Sequence, residues 1–206
     1  LVIQKLKLIL NKRKLSTSVG DEGGFAPSLE SNEKAIDLIY EAVDKAGFKI
    51  GKDISICLDV AANELYENKK YAVSSAKSMS SEKTISYYLD LIKKYKIRSI
   101  EDPFFEDDWP SWINFTKSTN SDTQIVGDDL FVTNKERLQK GIKSKAANAI
   151  LIKPNQIGTL TETLEVINLA HKNNYNTIIS HRSGDSEDTF IADLSVATNS
   201  SQIKTG

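Results

Sequence analysis

Cysteine is almost missing from this sequence: Cys57 is the only one in 206 residues, so no disulfide can form within the chain. Such usage fits a reducing compartment. A charge imbalance is missing too. Twenty-seven Lys and Arg stand against 28 Asp and Glu, a net charge of -1. That balance gives no global electrostatic case for a nucleic-acid partner or an anionic membrane. No low-complexity segment and no clear interdomain linker interrupts the chain, whose length suits one large domain or two small ones. The apolar start, residues 1–10, carries Lys5 and Lys7, and Val2, Ile3, Leu6, Ile9 and Leu10 share one helical face. It predicts an amphipathic helix rather than a signal peptide or a membrane span. The chain opens inside that helix without a methionine, so its true beginning is expected upstream.

What is present is a repeat. Short apolar runs end on polar residues at 59, 101, 128, 153, 181 and 204, with spacings of 42, 27, 25, 28 and 23. The runs are 54–58, 97–100, 124–126, 149–152, 177–179 and 202–204. Helical patterns fill the intervals at 84–95, 108–117, 133–143, 159–172 and 189–197, after an earlier one at 32–46. Thr133 with Glu136, and Thr159 with Glu162, read as capping boxes. On the 84–95 helix, Ile85, Tyr88, Leu89 and Ile92 are expected inward. The long first interval holds an extra hairpin over 65–73, turning at 67–70, then a polar loop over 74–81. A weak strand at 15–19 runs into Gly20-Asp21-Glu22-Gly23-Gly24, a mobile or tightly turned loop. Strands alternating with helices argue an α/β protein with a parallel sheet. Polar groups at every strand end favour a (β/α)8 TIM-type barrel, which gathers those ends onto one mouth.

The stretch Ser99-Ile100-Glu101-Asp102-Pro103-Phe104 states the chemical problem. A buried strand stops on two carboxylates, which are costly unless something positive meets them. Asp59, Glu101 and Asp128 each end a strand. A single such acid is more often a helix cap or a solvated loop residue. Three converging on a barrel mouth would repel one another, and a hard divalent cation removes the conflict. All-oxygen ligation suggests Mg²⁺. Lys153 follows four apolar residues; its bland role is a lysine reaching out to solvent. It shares the mouth with the acids and Lys204, and a neighbouring ammonium and metal ion favour the free amine of a base. His181, Arg182 and Ser183 suit an anion clamp, since a guanidinium grips phosphate or carboxylate bidentately. Glu22 is by composition a loop acid whose role depends on its loop folding over the mouth. His171, late in a helix, is given no role. A lysine base, a metal and an anion clamp suit proton abstraction beside a carboxylate. An acid on the opposite face would then expel a β-leaving group.

These residues resemble the enolase family, the phosphopyruvate hydratases of glycolysis. The resemblance is carried by Gly20-Asp21-Glu22-Gly23-Gly24-Phe25-Ala26-Pro27, by residues 99–104 and by Gly127-Asp128-Asp129-Leu130. It continues in Lys153-Pro154-Asn155-Gln156-Ile157-Gly158-Thr159, Ser180-His181-Arg182-Ser183-Gly184 and Gln202-Ile203-Lys204-Thr205-Gly206. It runs over essentially the whole chain. It implies Glu22 as the acid that helps the 3-hydroxyl leave and Lys153 as the base at C2. Asp59, Glu101 and Asp128 are implied as Mg²⁺ ligands, Arg182 and Ser183 as phosphate ligands with His181 nearby, and Lys204 as a substrate-carboxylate contact that tunes Lys153. The implied reaction is 2-phosphoglycerate to phosphoenolpyruvate plus water, and its reverse. The family also implies at least a homodimer in the full-length protein and a cytoplasmic location, with a cell-surface or secreted pool as for other bacterial members.

Residues 1–206 correspond to part of the family's C-terminal catalytic barrel. The N-terminal α+β domain, the first part of the barrel and the closing helices have no counterpart. With them go a second glutamate, a loop histidine and a serine for a second Mg²⁺. Residues 63–71 are a shortened version of the family's pattern. Two functions therefore stand side by side: the catalytic barrel of a lyase, or a catalytically incompetent fragment acting as a binding module. A sugar-acid dehydratase of the same superfamily fits less well, because residues 20–27 and 180–184 match enolases.

Overall fold

Apolar side chains on both faces of the short strands set the architecture, because successive strand side chains point to opposite faces and each face needs a cover. The computed structural model describes residues 1–73 and 78–205. Helices α1 (Val2–Lys12) and α2 (Asn32–Lys45) pack on each other through Ile9, Leu10, Leu38 and Ala42. Strand β1 (Cys57–Asp59) follows, then a 3-10 turn (Ala62–Leu65) and a hairpin of β2 (Tyr66–Glu67) and β3 (Lys70–Tyr71). Asn68 and Lys69, at φ +51° and +59°, make its two-residue turn, the backbone that matches strand twist. Regular alternation begins with α3 (Ser81–Tyr95), β4 (Ser99–Glu101), α4 (Trp109–Ser118) and β5 (Gln124–Gly127). Next come α5 (Lys135–Ser144), β6 (Ala149–Ile152), the one-turn α6 (Pro154–Ile157) and α7 (Leu160–Lys172). Strand β7 (Asn176–Ser180), α8 (Phe190–Ala197) and β8 (Gln202–Lys204) complete the series.

Six strands pair in the order β1-β4-β5-β6-β7-β8, each neighbour parallel. In a flat sheet the first and sixth would lie about 24 Å apart. Instead the Lys204 ammonium on β8 donates to Asp59 at the end of β1 at 2.7 Å. The sheet is therefore curled into the wall of a barrel, six strands of it among the described residues. Ile100, Ile125, Ile150, Ile152 and Ile179 face outward into one core shared with the helices. Val126, Ala149, Leu151 and Ile178 face inward as a separate apolar cluster. The floor is closed by amides: Gln124 and Gln202 exchange hydrogen bonds at 3.1 and 2.8 Å, and Asn176 donates to Gln124 at 3.0 Å.

Several local expectations change. Residues 15–19 form no strand; Val19 makes a lone bridge to Phe25. Of the first expected run only Cys57–Asp59 joins the sheet, and Ile54 bridges Ile50 instead. Ile3 is 69% exposed, on the outer side of α1. On α3 the deepest residues are Thr84, Tyr88, Leu91 and Tyr95, with Ile85, Leu89 and Ile92 at the margin. The expected loop over 74–81 falls partly, at 74–77, outside the described residues. Of the Thr159–Glu162 box the N-cap half forms, with the Glu162 N–H donating to the Thr159 hydroxyl, while the Glu162 carboxylate accepts from that hydroxyl. The Thr133–Glu136 box does not. Asn134 caps α5, its side-chain oxygen accepting from the N–H groups of Glu136 and Arg137 at 2.9 and 3.0 Å. Asn134→Ala is expected to cost about 1 kcal/mol, the usual loss for such a cap, read as a lower denaturant midpoint. An unchanged midpoint would show that the cap contributes nothing. Among the described residues no helix is long and apolar enough to cross a membrane.

Candidate functional site

At the C-terminal ends of the strands the inward side chains stop being apolar. Lys153 keeps the parity of Ala149 and Leu151, and Asp128 that of Val126. Chain alternation alone therefore turns both groups into the barrel mouth. A cavity of about 480 Å³ opens there. Eight of the nine residues singled out from the sequence line it; Glu101 alone does not, lying beneath Lys204. His171 stays outside the site, hydrogen-bonded to the Thr177 hydroxyl at 2.9 Å.

Two lysines meet the acids. Lys204 donates to Asp59 at 2.7 Å and to Glu101 at 2.8 Å. Burial opposes the charge on Lys204, yet these two carboxylates outweigh it and raise its pKa. Burial, then the neighbouring Asp59, pushes the Glu101 carboxyl up to about 7 in spite of that ammonium. Lys153 is hydrogen-bonded through Nζ to Asp128. Asp59 and Glu101 thus share the Lys204 ammonium while Asp128 pairs with Lys153, so each acid expected at the mouth has a cationic partner.

Asp102 has a different task. It leaves β4 with φ +42°, a left-handed conformation that aspartate tolerates better than most residues. Its two carboxylate oxygens accept from the N–H groups of Asp128 and Asp129, each at 2.8 Å. It buttresses the loop that presents Asp128. Burial raises its pKa well above the ordinary aspartate value against those two donors. Ligand atoms of Asp102, Asp128 and Asp129 lie within 4.8 Å of one another. This second acidic trio shares Asp128 with the expected one, but Asp102 has both oxygens already engaged.

The glycine-rich loop does fold over the mouth. The Glu22 carboxylate accepts from the Ser183 hydroxyl and lies 3.1 Å from His181 Nε2. Ser183's hydroxyl holds the Glu22 carboxyl below its usual range; burial, the next-largest effect, opposes it, and His181 adds to the lowering. Arg182 donates to the side-chain oxygen of Asn155 at 3.2 Å, from the turn that follows Lys153.

The family profile described as "Enolase, C-terminal TIM barrel domain" matches residues 1–206. The chain belongs to the enolase family. It is 62% identical over 205 residues to the enolase of Pelagibacter ubique (strain HTCC1062), a match covering 100% of this chain and 49% of that relative. The chain thus spans about half the length of the relative it matches.

This enolase-family barrel also recruits residues that the sequence reading left without a role. Asn63, on the 3-10 turn after β1, donates to Glu106 at 3.0 Å and to Asp129 at 2.8 Å, and its oxygen accepts from the Glu106 N–H at 2.9 Å. It stitches together two loops of the mouth. No local pattern signals this, since the partners lie 43 and 66 residues away. Asn155 sat inside the matched stretch after Lys153, and only its contact with Arg182 gives it a task.

Proposed function

We propose that the full-length protein is a phosphopyruvate hydratase, a lyase interconverting 2-phosphoglycerate and phosphoenolpyruvate plus water. The observation that carries this is the pairing across one cavity: Lys153 on Asp128 and Lys204 on Asp59 and Glu101, facing Glu22 against Ser183 and His181. Asp59, Glu101 and Asp128 would hold Mg²⁺. The fit is chemical: a hard, all-oxygen donor set whose excess charge two ammoniums now offset. When bound, the ion would stabilise the negative charge that develops on the substrate carboxylate.

The residues divide the work. Arg182 and Ser183 hold the phosphate, with His181 beside them, and Lys204 contacts the substrate carboxylate. Lys153, in its free-amine form, takes the C2 proton and becomes the ammonium; the electron pair the proton leaves behind forms the C2–C3 double bond. Glu22 protonates the departing 3-hydroxyl, which leaves as water. A phosphate engaging Ser183 withdraws the hydroxyl that now depresses the Glu22 carboxyl. Substrate binding thereby raises the proton affinity that an acid needs. The cytoplasm and a homo-oligomer of at least two copies are the proposed setting.

Full-length protein with Mg²⁺ is expected to form phosphoenolpyruvate from 2-phosphoglycerate and to stop when the ion is chelated. Arg182→Lys is expected to raise KM about tenfold or more, the scale of a lost charged hydrogen bond. Absence of phosphoenolpyruvate from the wild-type protein would end the proposal. A second reading, a non-catalytic piece, applies to residues 1–206 alone. It is favoured by apolar side chains left exposed, Leu8 at 62% and Val196 at 84%. Turnover by residues 1–206 alone would refute it.

A further inference from the structure

Thr133 does not cap α5, and Gln156 has no role in the chemistry above. Together they close a ring. The Lys153 backbone N–H donates to the Thr133 hydroxyl oxygen at 2.9 Å. That hydroxyl donates to the Gln156 side-chain carbonyl at 2.8 Å. The Gln156 amide donates to Asp128 Oδ1 at 3.4 Å, and Lys153 Nζ donates to the other oxygen of the same carboxylate. We propose that Thr133 and Gln156 are positioning residues that lock the base Lys153 and the carboxylate Asp128 into one geometry.

The ring has a direction. The Thr133 oxygen accepts from Lys153, so its only proton goes to Gln156. The Gln156 carbonyl must therefore face Thr133, which turns its NH₂ toward Asp128. Reversing the amide would set a carbonyl against a carboxylate. Thr133 is fully buried, and Val132 and Thr133 stand at φ +44° and +53°. Two β-branched residues in the left-handed region are a costly arrangement. That backbone delivers the Thr133 hydroxyl to the end of β6. The ring spans the ends of β5 and β6 and the α6 turn, so movement of either reacting group must break a hydrogen bond.

The inference rests on the lyase reading for the role of Lys153, and its test separates the two. In the full-length protein, Thr133→Val, Gln156→Leu, the double variant and Thr133→Ser are compared for kcat, for KM with 2-phosphoglycerate, and for Mg²⁺ affinity by calorimetry. Thr133→Val and Gln156→Leu are each expected to lower kcat and Mg²⁺ affinity about ten-fold or more, as lost supporting partners do. KM should move by less than about two-fold, the split of an interaction that acts on the reacting groups. The double variant should be no worse than about the poorer single one, because one ring is broken either way. Thr133→Ser should restore kcat to within about three-fold of wild type, since it keeps the hydroxyl. Gln156 is half-buried, so Gln156→Leu carries the test if Thr133→Val fails to fold. Gln156→Leu with kcat and Mg²⁺ affinity both within about two-fold of wild type, or a double variant whose losses multiply, overturns the inference. An inactive wild type whose Mg²⁺ affinity still falls in Gln156→Leu would remove the lyase reading and leave the ring standing.

Discussion

Lys153→Ala in the full-length protein is expected to lower kcat about a thousand-fold, within the range that a positioned general base contributes. The position of Lys153 leaves little room for a substitute. Four fully buried residues, Ala149, Ile150, Leu151 and Ile152, anchor the strand beneath it, and the Thr133 hydroxyl holds its N–H. Lys153→Arg should not rescue, because a guanidinium stays charged and cannot take a proton. Removing the ammonium also leaves Asp128 without its ion-pair partner, which costs stability in a buried site. The assay therefore needs Mg²⁺ present and a thermal unfolding curve beside it. Exchange of the substrate C2 proton with solvent should stop in step with turnover. If Lys153→Ala kept that exchange while remaining folded, another group would be the base.

Gly141→Ala is expected to destabilise the protein by about 1–3 kcal/mol, the usual cost of overpacking a core. Helix propensity alone argues for the opposite sign, a gain of up to about 1 kcal/mol for Ala over Gly inside a helix. Packing decides. The Phe131 ring is fully buried and lies between Gly127 on β5 and Gly141 on α5. A Cβ on either glycine would sit closer than 3.0 Å to ring carbons of Phe131. The ring cannot swing aside freely, since Tyr175 meets it edge-on at 6.3 Å. The two glycines let α5 approach the sheet that carries Asp128. The thermal midpoint should fall by about 2–4 °C per kcal/mol for a domain of this size. Combining Gly141→Ala with Phe131→Leu should recover part of the loss. A raised midpoint in Gly141→Ala alone would refute the packing argument.

The two outcomes mark what could be read from the chain. The strand-helix repeat and its polar strand ends were legible because side-chain alternation is a local rule. It carries Lys153 and Asp128 inward without any knowledge of the neighbours. The face of α3 was legible only to within one position: Thr84, Leu91 and Tyr95 are buried with Tyr88, while Ile85, Leu89 and Ile92 lie at the margin. The cap of α5 was misread because Thr133 and Asn134 both suit the position. Thr133 is drawn away by Lys153 and Gln156, 20 and 23 residues further on.

The sequence by itself determined the α/β class, the barrel topology and most of the charged groups at its mouth. Those follow from periodicity and from motifs read along one strand at a time. Tertiary structure alone decided which ammonium meets which carboxylate, that Asp102 holds backbone N–H groups, that Glu22 rests on Ser183, and that Thr133 belongs to the site. The physical reason is sheet curvature. It brings Asp59 and Lys204, 145 residues apart, to 2.7 Å, and no local pattern encodes a hydrogen bond that forms only when the wall closes on itself.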